Sequence, residues 1–229
     1  MDRFIREIAI TEIDGVSIGH AQDNEAKTGA SVLYFKRGAQ AGCDVSMGNV
    51  GAGTGASVGK LFGMERATKS GLGIYALQAG ELKIAAVVVV NAFGDVFDPE
   101  NGQKIAGLMD AERTKFVDLE EAFVEMMTTP QDLFHTNTTI GCIVCNARFD
   151  KAKLNKIASM ARNAYARCIN PVGTMADGDS IYACSVGEVE SDVNVAGTLA
   201  ARAMQQAIKR AVTASAVDDR EYLKYCLRN

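Results

Sequence analysis

The sequence contains no tryptophan and only two histidines among its 229 residues. Without tryptophan, the chain has no indole ring to serve as a stacking platform. His20 and His135 lack the matching Ser or Cys arrangement that a histidine base would activate, so we expect ordinary structural roles for both.

Long apolar segments and clusters of positive charge are also absent. The longest apolar run, residues 84–90, is far shorter than the roughly 20 residues of a membrane helix. Residues 1–15 lack the apolar core of a secretory signal. These features predict a cytoplasmic protein that makes no membrane contact. The net charge of -4 and the scattered Lys and Arg residues give no footprint for a nucleic-acid partner.

Six cysteines in a chain of this length do not indicate a disulfide framework. Cys142 and Cys145 form a CxxC pair, but within a strand an offset of three residues places them on opposite faces. No second CxxC and no nearby histidine completes a metal site. We therefore expect buried structural thiols and neither a metal nor a cofactor.

Strand-like and helix-like hydrophobic patterns alternate along the chain. Strands are predicted in residues 8–20 (two short ones around a turn at Asp14-Gly15), 30–35, 84–91, 138–145 and 180–186. Helices are predicted in residues 117–127, from a cap at Asp150 to Cys168, and in residues 194–216. The run 84–91 is continuous and β-branched, as in strands that are buried on both faces. The sequence therefore predicts an α/β fold of packed layers in a single domain, residues 1–229.

The glycine-rich segment 48–59 resembles nucleotide-binding loops only superficially. A P-loop requires Gly where Thr54 stands and Ser or Thr where Leu61 stands, so the Mg²⁺ ligand is missing. The spacing from Gly53 to Gly59 also differs from the dinucleotide fingerprint. Two interpretations remain: a tight structural loop, or a loop that positions Lys60.

The segment Thr136-Asn137-Thr138-Thr139 stands where a polar stretch meets a predicted strand. Its match to a glycosylation sequon has no use without a secretory signal. It is either the plain start of a strand, or a site where the Thr138 hydroxyl attacks the carbonyl of Asn137. Cleavage there would give Thr138 a free α-amine with a pKa of about 8, close enough to neutral to act as the activating base.

Two further polar groups are candidates for the same chemistry. Asp177 and Asp179 flank Gly178, and their spacing of two places both carboxylates on one side of an extended segment. They form either a solvated turn or a pair that orients the nucleophile. Asn91 ends the buried strand, either as a plain polar terminus or as an amide donor to an oxyanion.

Several stretches together resemble the L-aminopeptidase D-amidase/D-esterase family, which includes the β-peptidyl aminopeptidases and the nylon-oligomer endo-hydrolase. The matching stretches, in the family's order, are ITEIDGVSIGHAQDNEAKTGASVL, GNVGAGTGASVGKL, GLG with IAAVVVVNAFGDV, TNTTIGCIVCNARFDKAKLNKIA and DGDSIYACSVG. The resemblance implies a self-processing hydrolase of the N-terminal-nucleophile type with layered αββα architecture. It also implies a homo-oligomer, a tetramer or larger, that acts on small peptides or amides.

The resemblance implies a role for each matching residue. Thr138 would be the nucleophile and Asn137 the residue before the cut, which would leave parts 1–137 and 138–229. The supporting polar residues would be Lys60, Asn91, Asp177 and Asp179. One difference from the family is large: between Ser46 and Gly48 this chain lacks a long segment that contributes a strand, a helix and part of the substrate pocket.

Three functions follow as hypotheses. The first is hydrolysis of short peptides or amino-acid amides by Thr138. The second is acyl transfer, because ornithine acetyltransferases share this architecture. The third is a shortened, inactive paralogue that acts as a scaffold or partner.

Overall fold

The computed structural model describes residues 4–35, 45–126 and 137–226. The strands are β1 (Ile5–Ile8), β2 (Val16–Asp23), β3 (Thr28–Phe35), β4 (Ser57–Val58), β5 (Thr68–Lys69), β6 (Leu72–Ala79), β7 (Leu82–Val89), β8 (Asp95–Phe97), β9 (Lys104–Ala106), β10 (Ile140–Ala147), β11 (Ile169–Asn170) and β12 (Ser180–Val189). The α-helices are α1 (Leu119–Met126), α2 (Lys151–Ala161), α3 (Asn163–Cys168), α4 (Val193–Thr213) and α5 (Asp219–Cys226). Short 3-10 helices cover Ile10–Glu12, Gly51–Gly53 and Met64–Arg66.

A five-stranded sheet in the order β1-β6-β7-β10-β12 forms the centre. Its neighbours are antiparallel except β10 and β12, which are parallel. The predicted buried strand is β7, whose alternating side chains enter two different cores. Ile84 and Val88 face one side and Ala85 and Val87 the other, because successive residues of a strand point to opposite faces.

Helices α2, α3 and α4 cover one face of this sheet. Helix α4 begins at Asp192, whose side chain accepts hydrogen bonds from the amides of Asn194 and Val195. Asp150 caps α2, as predicted. The single helix predicted from Asp150 to Cys168 is wrong in one respect, because the chain turns at Arg162 and continues as α3. The apolar spacing continues across that turn because α2 and α3 both pack against α4.

The other face is covered by the 3-10 helix Ile10–Glu12 and the hairpin β2–β3. The turn predicted at Asp14-Gly15 is present, with Gly15 at φ 80°. The strand predicted before it is wrong, since β1 ends at Ile8 and a 3-10 helix follows. Toward β10 and β12 this face is open, and Ile140 and Tyr182 are 50% and 63% exposed.

The predicted α/β class is confirmed: the main sheet is packed between a helical layer on one face and the β2–β3 hairpin on the other. On the outer side of the hairpin, Val32 and Tyr34 are exposed, so no described helix covers it. In the ranges given above, no helix has both the length and the hydropathy needed to cross a bilayer.

A smaller sheet, in the order β11-β8-β9, lies beside the end of β7. Asp95 of β8 holds it together: its carboxylate accepts the amides of Leu108 at 2.7 Å and Leu119 at 3.3 Å, and pairs with Lys104 at 2.5 Å. The side chain of Asp95 is 3% exposed, so these partners replace the water that it loses on folding.

Candidate active site

The Asn137–Thr138 peptide bond lies immediately before β10, where the backbone is held on both sides. Asn137 forms a parallel bridge with Asp177, and its amide donates to Ala176 O at 3.3 Å. The amide of Thr138 donates to Asn91 O at 2.9 Å. Asn137 is 2% exposed, and Thr138 is half-buried. The bond is therefore fixed in position, while the Thr138 side chain still reaches solvent.

The Thr138 hydroxyl lies against the carbonyl group that precedes it. Thr138 Oγ1 donates to Asn137 O at 2.5 Å, and the amide of Gly178 donates to the same oxygen at 2.9 Å. A nucleophile is therefore adjacent to this carbonyl group, and a backbone N–H is aimed where negative charge would develop on its oxygen. A side chain at Gly178 would crowd the hydroxyl, because a Cβ built there lies 3.0 Å from Thr138 Oγ1.

Asn91 follows the end of β7 and contacts both Thr138 and Lys60. Its carbonyl oxygen accepts from the Thr138 amide at 2.9 Å and from Lys60 Nζ at 3.4 Å. Its side-chain Oδ1 accepts from Lys60 Nζ at 2.5 Å and from the Ser57 amide at 3.2 Å. These two donors fix the orientation of the carboxamide. The Nδ2 group of Asn91, which lines the cavity beside Thr138, is left as a donor for a ligand.

Lys60 is buried, with 7% of its surface exposed. Burial lowers its pKa from 10.5 to about 8, and the nearby charge of Asp177 partly opposes that shift. The glycine-rich loop places it: Gly59 has φ +74°, and a Cβ there would lie 2.2 Å from the backbone of Gly107. The loop is therefore tight, and it also places Lys60 Nζ against Asn91, so the geometry is compatible with both interpretations of this loop.

The two aspartates contact the backbone around Thr138 and make no hydrogen bond to its hydroxyl among the described residues. Asp177 accepts from the amide of Phe93 at 3.2 Å and from the Thr174 hydroxyl at 2.7 Å. Asp179 Oδ1 accepts from the Thr139 amide at 2.8 Å, and its buried Oδ2 has no hydrogen-bond partner.

Burial raises the pKa of Asp179, and the charge of Asp177 adds to the increase. The Asp179 carboxylate fixes the residue after Thr138, and Asp177 fixes the loop that faces it. Both aspartates therefore act on Thr138 through the backbone.

A cavity of about 500 Å³ opens beside Thr138. The main sheet and the β2–β3 hairpin form its two walls, and Thr138 and Asn91 line it. The larger apolar side chains of the lining are Leu33, Leu72, Val87, Val89 and Ile140. The cavity is large enough for a small amide substrate next to the hydroxyl.

The sequence provided no signal for two donors of this site, the backbone amides of Gly178 and Ser57, because a backbone amide has no residue-type signature. The other sequence candidates have structural surroundings. His20 Nδ1 contacts Ser31 Oγ at 2.8 Å, and His135 lies outside the described residues. Cys142 and Cys145 face opposite sides of β10, as predicted. No metal-binding group of three or more His, Cys, Asp or Glu occurs in the described part of the chain.

The fold and the Thr138 junction together define a mixed α/β protein with a polar cluster around one peptide bond. The model of Peptidase family S58 matches residues 35–220. An uncharacterized aminopeptidase of Mycobacterium tuberculosis is 36% identical over 186 residues, which are 79% of this chain and 52% of that protein. The chain therefore belongs to Peptidase family S58.

Two further proteins are similar to this chain, one in sequence and one in fold. The 6-aminohexanoate-oligomer endohydrolase of Paenarthrobacter ureafaciens is 35% identical over 147 residues, which are 62% of this chain and 40% of that protein. The L-aminopeptidase D-Ala-esterase/amidase of Ochrobactrum anthropi, described as a variant of the Ntn hydrolase fold, superposes with a TM-score of 0.52 at 17% identity. That superposition covers 82% of this chain and 54% of the other, and shows a shared fold. The chain spans about half the length of the curated relatives it matches.

Proposed function

We propose that this protein is a self-processing amide hydrolase whose nucleophile is Thr138. The observation that carries the proposal is the carbonyl group of Asn137. Its oxygen accepts hydrogen bonds from the Thr138 hydroxyl at 2.5 Å and from the Gly178 amide at 2.9 Å. Membership of Peptidase family S58 supports the same chemistry.

Self-processing would proceed by an N-to-O acyl shift. Thr138 Oγ1 bonds to the carbonyl carbon of Asn137 while the Gly178 amide stabilises the oxyanion. The C–N bond then breaks, and the hydroxyl proton ends on the released amine. Water hydrolyses the resulting ester, which leaves a carboxylate on Asn137 and restores the Thr138 hydroxyl.

The same groups would then serve substrate turnover. The new α-amine of Thr138 remains beside Asn91 O, where Lys60 Nζ also lies. The positive charge of Lys60 disfavours a second cation there, so it favours the neutral, basic form of the α-amine. The amine takes the hydroxyl proton as Thr138 attacks a substrate amide, and Asn91 Nδ2 donates to the oxyanion. Asp177 and Asp179 hold the backbone around the nucleophile. The candidate substrates are short peptides, amino-acid amides and amide oligomers.

A denaturing gel with intact mass of the purified protein tests self-processing. We expect two chains, residues 1–137 and 138–229, in the wild type and one uncut chain in Thr138→Ala. Thr138→Ser retains a hydroxyl and should still be cut. An uncut wild type that nevertheless hydrolyses amides would refute the role of Thr138.

The acyl-transfer alternative predicts that an added amine outcompetes water for the acyl group. Analysis of the products formed in the presence of an excess of an amine acceptor tests this prediction.

A non-enzymatic role as a partner or scaffold is the second candidate. The exposed apolar side chains Ile140, Tyr182, Val32 and Tyr34 favour it, because surfaces of this kind mark contact with another chain. They also support the proposal of a homo-oligomer. Light scattering of wild type and Thr138→Ala separates the two roles: association of an uncut, inactive wild type would favour the scaffold.

A further inference from the structure

A second buried lysine, which the proposed mechanism does not use, lies in β5. Lys69 is 8% exposed, and its Nζ donates to the carbonyl oxygens of Ala56 at 2.9 Å and Gly53 at 3.0 Å, and to that of Ser70. Burial lowers the pKa of Lys69 from 10.5 to about 7, and the charge of Lys27 adds to the decrease. These carbonyl oxygens offset the loss of water around the buried amine. Lys69 therefore joins β5 to two points of the glycine-rich loop.

One of these contacts holds the peptide group between Ala56 and Ser57. The carbonyl oxygen of that group accepts from Lys69 Nζ and, at 3.0 Å, from the amide of Ser70. Its N–H, which is that of Ser57, donates to Asn91 Oδ1 at 3.2 Å. Because a trans peptide group is planar, with its C=O and N–H on opposite sides, holding the oxygen also fixes the direction of the N–H. Lys69 therefore reaches the Asn91 carboxamide through a single peptide group.

The direction of the Asn91 carboxamide is what the proposed turnover step requires. Two donors hold its Oδ1, the Ser57 amide and Lys60 Nζ, and this leaves Nδ2 as the donor toward the substrate oxyanion. Without the Ser57 contact, Lys60 alone would hold Oδ1, and the carboxamide would be freer to rotate about its last side-chain torsion. An oxyanion is stabilised less by a misdirected donor, because this stabilisation depends on distance and direction.

We propose that Lys69 is a positioning residue for substrate turnover: it holds the Ala56–Ser57 peptide group so that Asn91 Nδ2 stays directed at the substrate oxyanion. This inference rests on the proposed function and adds a residue to it. In that function the Gly178 amide stabilises the oxyanion of self-processing, whereas Asn91 Nδ2 stabilises that of the substrate. Lys69 should therefore matter for turnover and much less for self-processing.

The first measurement compares Lys69→Met with the wild type, using alanine 4-nitroanilide as an amino-acid amide substrate. We expect kcat about tenfold lower and KM within about twofold, because the weakened interaction acts on the transition state. The rate of self-processing on a gel time course should stay within about twofold of the wild type, whereas general damage to the fold would slow both reactions. The control Lys151→Met removes an exposed lysine on the helical side of the sheet and should change neither.

The second measurement determines whether Lys69 acts through Asn91. The carboxamide is absent in Asn91→Ala, so adding Lys69→Met should lower kcat no further, whereas two independent effects would multiply. Lys69→Arg keeps N–H donors at this position and should recover most of the lost kcat. If thermal scans show that Lys69→Met does not fold, Lys69→Gln, an N–H donor of shorter reach, takes its place in every measurement.

The third measurement does not depend on catalysis. In uncut Thr138→Ala protein, adding Lys69→Met should speed hydrogen exchange in residues 53–57 and leave β10 unchanged. The inference is overturned if exchange in residues 53–57 or kcat stays at the parent value, if self-processing slows as much as turnover, or if the loss in kcat persists in Asn91→Ala. Faster exchange confined to this loop, in a protein whose wild type neither cuts itself nor hydrolyses amides, would support the anchoring by Lys69 and refute the proposed function.

Discussion

Replacing Lys60 by methionine should stabilise the protein at neutral pH and have little effect on its stability at alkaline pH, because Lys60 is buried. Methionine has a similar volume and no charge, so the change removes the buried ammonium without opening a large cavity. It also removes the donor that holds Asn91 Oδ1 at 2.5 Å. The free energy of unfolding therefore gains one contribution and loses another.

The magnitude follows from the pKa of Lys60, which burial lowers from 10.5 to about 8. That difference corresponds to about 3 kcal/mol of cost for holding the charge in the folded protein. The variant also loses the hydrogen bond that even the neutral amine can make to Asn91 Oδ1, about 1 kcal/mol, so it should be more stable by about 2 kcal/mol at pH 7.

Because the folded pKa is the lower one, the unfolded chain binds more protons between pH 8 and 10.5, and wild-type stability rises with pH across that window. The cost is fully present below pH 8 and has decreased by about 2 kcal/mol at pH 9.5. The stability advantage of the variant should then nearly vanish.

Urea unfolding at pH 7 and pH 9.5 measures this, with Thr138→Ala in both proteins so that the chain stays uncut. Lys151→Met is the control, since an exposed lysine should show no such pH dependence. The reasoning is wrong if the stability difference between Lys60→Met and its parent is the same at both pH values, or if it changes in the opposite direction. With Thr138 present, Lys60→Met should slow self-processing on a denaturing gel.

Three further substitutions give sharp outcomes. Gly178→Ala places a Cβ 3.0 Å from Thr138 Oγ1 and should slow self-processing about tenfold on a gel time course, whereas Gly19→Ala, with open space around its Cβ, should not. Asp179→Asn removes a carboxylate whose pKa is raised by burial, so thermal scans should show a higher Tm at pH 7 and no difference at pH 3, where the acid is neutral; an equal Tm at both would contradict this. Asp95→Ala leaves the half-buried Lys104 without its ion-pair partner and two amides without their acceptor, and should cost about 3–5 kcal/mol in urea unfolding; a loss under about 1 kcal/mol would contradict that role.

The sequence predicts those parts of the fold whose pattern is local. Strand β7 follows from an unbroken β-branched run, and the start of α2 follows from the cap at Asp150. Strand β6 has no such pattern, since Gly73 and Gln78 interrupt it and Ile74 is its one β-branched residue. It is a strand because β1 and β7 pair with it on both sides. Pairing between distant segments is a tertiary effect that no window of sequence contains.

The candidate site shows the same division. Residue type and family resemblance mark Thr138 and Asp179, but the bridge between Asn137 and Asp177 joins positions forty residues apart in the chain. The donor to the Asn137 carbonyl oxygen is the backbone of Gly178, which any residue would supply in principle. We expected an aspartate to orient Thr138 directly, but Asp177 and Asp179 contact backbone amides near it. Such partners depend on folded geometry alone.

The position of β10 within the sheet determines what a cut before Thr138 would leave. Strand β10 borders β7 along six residue pairs, and α4, from the later part of the chain, packs across β6 and β7. Two fragments cut apart at this point would remain interlocked, and native gel filtration would report one particle. Once denatured, however, they would have to find each other by diffusion, so refolding would depend on concentration. After such a cleavage, the lifetime of the folded protein would be set by its rate of unfolding, because the unfolded fragments would not readily refold.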